Sequence, residues 1–153
     1  MLLGADTARV FVDHALDGML RVVDRLGNDL VNLRPVSPDT TSVAALVVHC
    51  CGVAEYWLGH VALGDPSERD RDAEFAARAS VAELRERVDG ARVVVVRCLD
   101  RLERGGGTAP TRRPPLWGGE TSDAAIVLHV VEELFQHLGH VELSADVLLR
   151  ASA

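Results

Sequence analysis

The sequence predicts an all-α fold, a four-helix bundle with a long connection between its second and third helices. Apolar residues recur at spacings of three and four in four separate segments, as they do on the buried faces of helices. Clusters of Pro and Gly separate these segments. Only 4% of the 153 residues are aromatic, so Leu, Val and Ala must fill the core, which suits packed helices. At this length we expect one domain over residues 1–153.

Turn residues mark the ends of the first two helices. The first is predicted over residues 7–26, where Gly27-Asn28 interrupts the pattern. The second begins at an N-cap, Thr41-Ser42, and runs to about Leu63, where Gly64 and the following Asp-Pro stop it. It is apolar nearly all round, which implies that it is buried.

Capping signals open the last two helices. The charged, turn-like run from Asp65 to Ala79 is predicted to be a solvated connection. Ser80-Val-Ala-Glu83 is a capping box for the third helix, which a run of glycines ends. Thr121 or Ser122 then caps the last helix, over residues 123–149.

Charge and cysteine content exclude several classes of protein. A net charge of −7 offers no basic face for non-specific binding to nucleic acid. Four charged residues interrupt residues 1–20, so this region is expected to be neither a signal peptide nor a membrane span. Three cysteines, two of them adjacent (Cys50 and Cys51), do not make a disulfide framework and are interpreted as small buried hydrophobic residues. A cytoplasmic location is expected.

Metal-competent side chains form a stripe on the last helix. At about 100° per residue, Glu133, His137 and His140 all fall within roughly 80° of His129. Glu133 and His137 are also i, i+4 neighbours, close enough to bind one ion together. The sequence therefore predicts a divalent-metal site, with His49 of the second helix as a further candidate.

A polar stripe on a helix more often faces solvent, and two observations count against that alternative. Apolar residues flank the stripe, among them Ile126, Leu143 and Val147. Arg, the only basic residue type besides His in this chain, is absent between Arg113 and Arg150. The chain lacks the His-Glu-x-x-His motif, so a zinc-protease site is not predicted. A lone buried His such as His49 is usually a hydrogen-bonded core residue, which leaves its role open on spacing alone.

The loop before the last helix holds Arg112, Arg113 and Trp117 among prolines and glycines. It is either an ordered connection anchored by Trp117 or a rim that binds an anionic ligand near the metal. It lacks the Gly-Lys-Ser/Thr ending of a phosphate-binding loop, so no nucleotide site is predicted.

Three segments carry a family resemblance over nearly the whole chain. They are Arg34-Pro35 with the following Ser42, the segment His49-Cys-Cys-Gly-Val-Ala-Glu-Tyr-Trp57, and the segment Glu132-Glu-Leu-Phe-Gln-His-Leu-Gly-His140. Together they resemble the DinB/YfiT-like metalloenzymes, and more narrowly the actinobacterial branch that contains mycothiol-dependent maleylpyruvate isomerase. Relatives often carry an acidic residue where Ala54 stands, so any role of that position is not carried over.

The resemblance implies a bundle with a long crossover and a metal held by one His of the second helix and two i, i+4 residues of the last. These positions correspond to His49, Glu133 and His137. His129 and His140 are left as residues that contact the ligands or line the pocket. Two imidazoles and a carboxylate suit zinc, with iron or nickel as alternatives.

The function expected from this resemblance is activation of a low-molecular-weight thiol, mycothiol in this branch, as a metal-bound thiolate. The thiolate would attack a small electrophile in an S-transfer or isomerisation reaction. His140 or His129 would transfer protons, and Arg112 or Arg113 would hold a carboxylate. The alternative is a non-catalytic bundle that binds a metal or small ligand. A third alternative is a bundle that serves chiefly as an oligomerisation module, such as a homodimer, whose signature would be an apolar patch on one exterior face.

Overall fold

The computed structural model describes residues 4–105 and 121–152, and 78% of these are helical. No strand occurs within these two ranges, which confirms the predicted all-α class. The elements in order are α1 (Ala5–Leu30), α2 (Val43–Ala54) continuing as a π-helix (Glu55–Leu63), α3 (Arg71–Ala76), α4 (Val81–Glu103) and α5 (Asp123–Ala151).

The break predicted at Gly27 is a kink in α1 and not its end. Gly27 has φ +61°, a conformation that Gly adopts without a Cβ penalty, and the helix continues to Leu30. Apolar residues with helical spacing, among them Leu16 and Met19, are fully buried on one side of α1.

The second helix changes its hydrogen-bond spacing part-way along. The Ser42 hydroxyl accepts the backbone N–H of Ala45 at 3.2 Å and so caps α2 as predicted. From Glu55 the helix takes π spacing, and it ends at Gly64 with φ +85°. The stretch from Val43 to Leu63 is long and apolar enough to cross a membrane. Most of it is buried inside the protein, however, and buried core helices of soluble proteins are equally long and apolar.

The connection after this helix is more structured than the sequence predicts. Residues Arg71–Ala76 form α3, and its N-cap is Asp70, whose side chain accepts the Ala73 N–H at 3.0 Å. This helix packs against α2 and buries Glu74, which is only 8% exposed. The prediction of a solvated connection was therefore wrong for Glu74, although most residues of α3 are exposed.

The packing of the long helices brings the candidate residues together. The predicted caps are confirmed, because Ser80 and Glu83 bond reciprocally at the start of α4 and the Ser122 hydroxyl accepts the Ala125 N–H at the start of α5. Helix α1 packs against α4 and α5, and α2 packs against α3, α4 and α5. His49 on α2 therefore lies beside α5, despite its distance along the chain.

Candidate metal site

Three side chains from two helices converge within the core. His49 on α2 and Glu133 and His137 on α5 each offer one nitrogen or oxygen atom, and these atoms lie within 4.8 Å of one another. Glu133 Oε2 is 3.8 Å from His49 Nε2 and 3.7 Å from His137 Nε2. The two imidazole rings meet edge to face at 4.9 Å between centroids. This is the set of residues that the family resemblance implies.

The spacing of these atoms fits a shared divalent ion. Distances of 3.7 and 3.8 Å are too long for hydrogen bonds, so the three groups face one another without bonding directly. Two ligand atoms at tetrahedral angles around zinc lie about 3.4 Å apart, given metal–ligand distances of about 2.1 Å. Two imidazole nitrogens and one carboxylate oxygen are also ligands that zinc accepts at catalytic sites.

The protonation of His137 suits a metal ligand. Burial lowers the pKa of His137, and the neighbouring His49 lowers it further. The charge of Glu133 raises the pKa of His137, but by less than burial and His49 lower it. A lowered pKa favours the neutral imidazole, which is the form that binds a metal. Among the described residues, the buried Nδ1 of His137 has no hydrogen-bond partner.

A carboxylate that the sequence analysis did not predict contacts His49. Glu74 Oε2 on α3 lies 2.8 Å from His49 Nδ1, and the ring of Phe75 stacks on His49 with centroids 4.3 Å apart. Burial alone would raise the pKa of Glu74, but hydrogen bonds from Arg69 and His49 outweigh it and lower that pKa. Glu74 is therefore ionised at neutral pH.

Local sequence contains only weak signals for Glu74. Asp70 is an N-cap residue type, and Phe75 and Ala76 are apolar residues within an otherwise charged run. The decisive feature is Gly52, because a Cβ there would lie 2.7 Å from Glu74 Cδ and closer still to Oε1. Gly52 stands three residues after His49, but nothing in its local sequence identifies which residue fills the space beside it.

The two further histidines lie at the edges of this cluster. The His129 ring meets the ring of Trp57 edge to face at 4.8 Å, and His129 Nδ1 is 3.4 Å from Glu132 Oε2. His129, Glu132 and Glu133 themselves form a second group with metal-ligand spacing. His140 is exposed, with its ring 6.3 Å from that of His137.

The stripe is less enclosed than its apolar neighbours suggest. Ile126 is buried, but Leu143 is 66% exposed and Val147 is half-buried. The prediction that Leu143 helps to enclose the stripe was therefore wrong. Glu133 and His137 retain side-chain exposures of 24% and 18%, so one side of the cluster is open to solvent.

The predicted anion-binding residues Arg112, Arg113 and Trp117 lie outside the described residues.

The thiols of the chain itself are unsuited to nucleophilic chemistry. All three cysteines are free and fully buried. Burial raises the pKa of Cys51 to about 12 and that of Cys98 to about 11, and it also raises the pKa of Cys50. The thiolate is the reactive form, so these side chains are inert at neutral pH. The prediction that Cys50 and Cys51 are small buried residues is confirmed.

Comparison with known protein families identifies the family of this chain. A family model described as Mycothiol-S-transferase matches residues 7–148, which is nearly the whole chain. The chain belongs to the mycothiol S-transferase family. This family is DinB/YfiT-like, so the resemblance identified from the sequence is confirmed. No curated protein matches the chain at a significant level of similarity.

Proposed function

We propose that this chain is a metal-dependent mycothiol S-transferase, which joins the sulfur of a small thiol to a small electrophile. The observation that carries the proposal is the convergence of His49, Glu133 and His137 from two distant helices, in a member of the mycothiol S-transferase family. The proposal includes the fold expected for that family, a four-helix bundle of α1, the α2–π helix, α4 and α5.

The three side chains would hold a divalent ion, zinc being the first choice and iron or nickel the alternatives. Three protein ligands leave a coordination position for a further group. When bound, the ion supplies stabilisation of thiolate over thiol at neutral pH. Glu133 and His137 are the ligands nearest solvent, and the open side beside them is where the cosubstrate would enter.

The nucleophile comes from outside the chain. Cys50, Cys51 and Cys98 are buried and have raised pKa values, so none of them supplies a thiolate. In the simplest reaction of this class, the sulfur of the thiol forms a C–S bond with an alkyl or aryl halide. The halide ion leaves, and the proton of the thiol passes to a base.

We assign His129 as the base that accepts the proton of the thiol. Its ring lies at the edge of the ligand cluster against Trp57, and its Nδ1 is 3.4 Å from Glu132 Oε2. His140 is exposed beside His137 and would pass the proton to solvent. Arg112 and Arg113 remain the residues proposed to hold a carboxylate of the thiol or substrate. The proposed location is the cytoplasm, where free thiols persist.

Metal content and thiol transfer together test the proposal. The metal bound to the purified wild type is measured by elemental analysis beside His49→Ala, Glu133→Ala and His137→Ala. His14→Ala is the matched control, since His14 is exposed on α1 and stacks on Phe135. Conjugation of mycothiol to a chlorinated nitroaromatic is then followed by absorbance.

We expect about one metal ion per wild-type chain, with each ligand variant losing most of it and the activity. The control should keep both. Equal metal content in wild type and Glu133→Ala would remove Glu133 from the site. A metal-loaded protein with no thiol transfer to any electrophile would instead favour the non-catalytic binding bundle.

A further inference from the structure

We infer that Glu74 is a positioning residue that holds His49 in the one tautomer and orientation able to serve the metal site. The inference rests on the proposed function, because it assigns a role to Glu74 through His49. Glu74 does not itself belong to the group of candidate ligands.

The hydrogen-bond pattern fixes the tautomer of His49. Arg69 donates from Nε to Glu74 Oε1 at 2.7 Å and from Nη2 to Oε2 at 2.9 Å. A carboxylate that receives both bonds is ionised and can only accept. The contact of 2.8 Å with His49 Nδ1 therefore requires a hydrogen on Nδ1. In a neutral ring this leaves Nε2 with its lone pair directed toward Glu133.

The surrounding residues hold Glu74 in this position. Arg69 itself lies over the ring of Tyr56 at 5.4 Å, and its side chain is largely buried. Gly52 leaves the space that the Glu74 carboxylate occupies, since any Cβ there would overlap with it. The next residue, Phe75, covers one face of the His49 ring. Glu74 and Phe75 on α3 thus restrain His49 both along its edge and across its face.

The other candidate histidine has no such restraint. Nδ1 of His137 is buried without a partner among the described residues. The site therefore fixes the histidine that comes from the distant helix, whereas Glu133 and His137 are aligned by their shared helix. Carboxylates placed in this way behind a ligand His commonly change metal affinity by about 10–100-fold when removed.

The tautomer can be measured without any metal. Long-range ¹H–¹⁵N spectra of the metal-free protein distinguish Nδ1–H from Nε2–H, at a pH above the ordinary imidazole value of about 6.5. Loss of one set of signals in His49→Gln assigns the ring. We expect Nδ1–H in the wild type and a shift toward Nε2–H in Glu74→Ala. A wild-type ring in the Nε2–H form, or an unchanged tautomer in Glu74→Ala, would overturn the inference.

Zinc affinity gives the second readout, measured by competition with a chromophoric chelator. Glu74→Gln keeps the size of the side chain, and we expect affinity to fall by about 10–100-fold. Glu55→Gln is the matched control, because Glu55 is also a partly buried carboxylate paired with an arginine, Arg87, and within the described part of the chain no hydrogen bond or ion pair joins it to His49, Glu133 or His137. Unchanged affinity in Glu74→Gln, or an equal loss in both variants, would contradict the role.

These experiments separate failure of the inference from failure of the proposed function. If the wild type binds neither zinc nor iron nor nickel, the proposed function fails, and the tautomer measurement still decides whether Glu74 orients His49. If the wild type binds zinc and transfers thiol while Glu74→Gln does both equally well, the inference alone is wrong.

Discussion

At the scale of single residues, the three cysteines show how burial determines chemistry. Cys51 and Cys98 keep their protons because a thiolate in the core would lose its hydration. The raised pKa values also affect stability. Below about pH 9 the thiols are protonated in both folded and unfolded chains. In that range they do not make the free energy of unfolding change with pH.

We predict that the native thiols resist alkylation and that alkali destabilises the chain. Above about pH 9 the unfolded thiols ionise while the folded ones do not, so the free energy of unfolding should fall as pH rises toward 12. Mass spectrometry after iodoacetamide treatment at neutral pH should show no modification of the folded protein and three modified cysteines after denaturation. Rapid labelling of any cysteine in the folded protein would contradict this prediction.

The residues of the candidate site differ in how far the sequence reveals them. Glu133 and His137 are i, i+4 neighbours, so helix geometry alone brings them together. His49 required the family resemblance, because the spacing within α2 gives no information about which helix it faces. Glu74 was not predicted, since a glutamate in a charged run is ordinarily solvated. Its burial depends on Arg69 and on the gap at Gly52.

At the scale of elements, the close approach of α3 to α2 depends on one missing side chain. Gly52 lies within α2, where Ala would otherwise favour the helix. The Glu74 carboxylate occupies the place where a Cβ would stand. The helix propensity at position 52 therefore favours Ala, whereas the packing of α3 against α2 requires Gly.

We predict that Gly52→Ala destabilises the protein and weakens metal binding. The new methyl group must displace the Glu74 carboxylate, which would cost on the order of 1–3 kcal/mol of the free energy of unfolding, as overpacking does. Gly90→Ala is the control, because Gly90 is an exposed helical residue with open space around it. It should stabilise by roughly 0.5–1 kcal/mol.

Urea unfolding of both variants, together with zinc competition, measures these effects. Gly52→Ala should lose stability and zinc affinity together, whereas Gly90→Ala should gain stability with zinc affinity unchanged. A Gly52→Ala variant that is as stable as Gly90→Ala would show that α3 does not pack against α2 as described.

The elements themselves were largely predictable, and the exceptions have physical causes. The caps at Ser42, Ser80 and Ser122 are local signals, and each begins a helix as predicted. Helix α3 was missed because its six residues have too few apolar positions to show periodicity. The π-helix was missed because Glu55 and His60 are the only ionisable residues besides Tyr56 in a mostly apolar stretch, which leaves too little pattern to reveal the change in spacing.

At the scale of the whole molecule, the candidate site joins helices that are far apart in the sequence. His49 lies on α2, whereas Glu133 and His137 lie on α5. An ion bound by all three would connect the two helices only in the folded state. Binding to the folded state alone must stabilise the protein.

We predict that zinc raises the melting temperature of the metal-free wild type. At a free concentration about 100 times the dissociation constant the gain is about 2.7 kcal/mol, or roughly 5–10 °C for a chain of this size. His137→Ala should show little of this shift, while His14→Ala should show all of it. Differential scanning calorimetry with and without chelator measures the effect. An equal shift in wild type and His137→Ala would place zinc elsewhere on the protein.

The π-helix has a consequence for how the length of the second helix can change. Each hydrogen bond in a π-helix spans five residues along the chain, one more than in an α-helix. A π-helical turn therefore contains about one residue more than an α-helical turn. Deletion of one residue between Glu55 and Leu63 can therefore be absorbed by a return to α spacing. The ends of the helix would move by only about 1.5 Å, the rise of one residue. Deletion of one residue here is thus expected to leave His49 and its contacts with α3 and α5 intact.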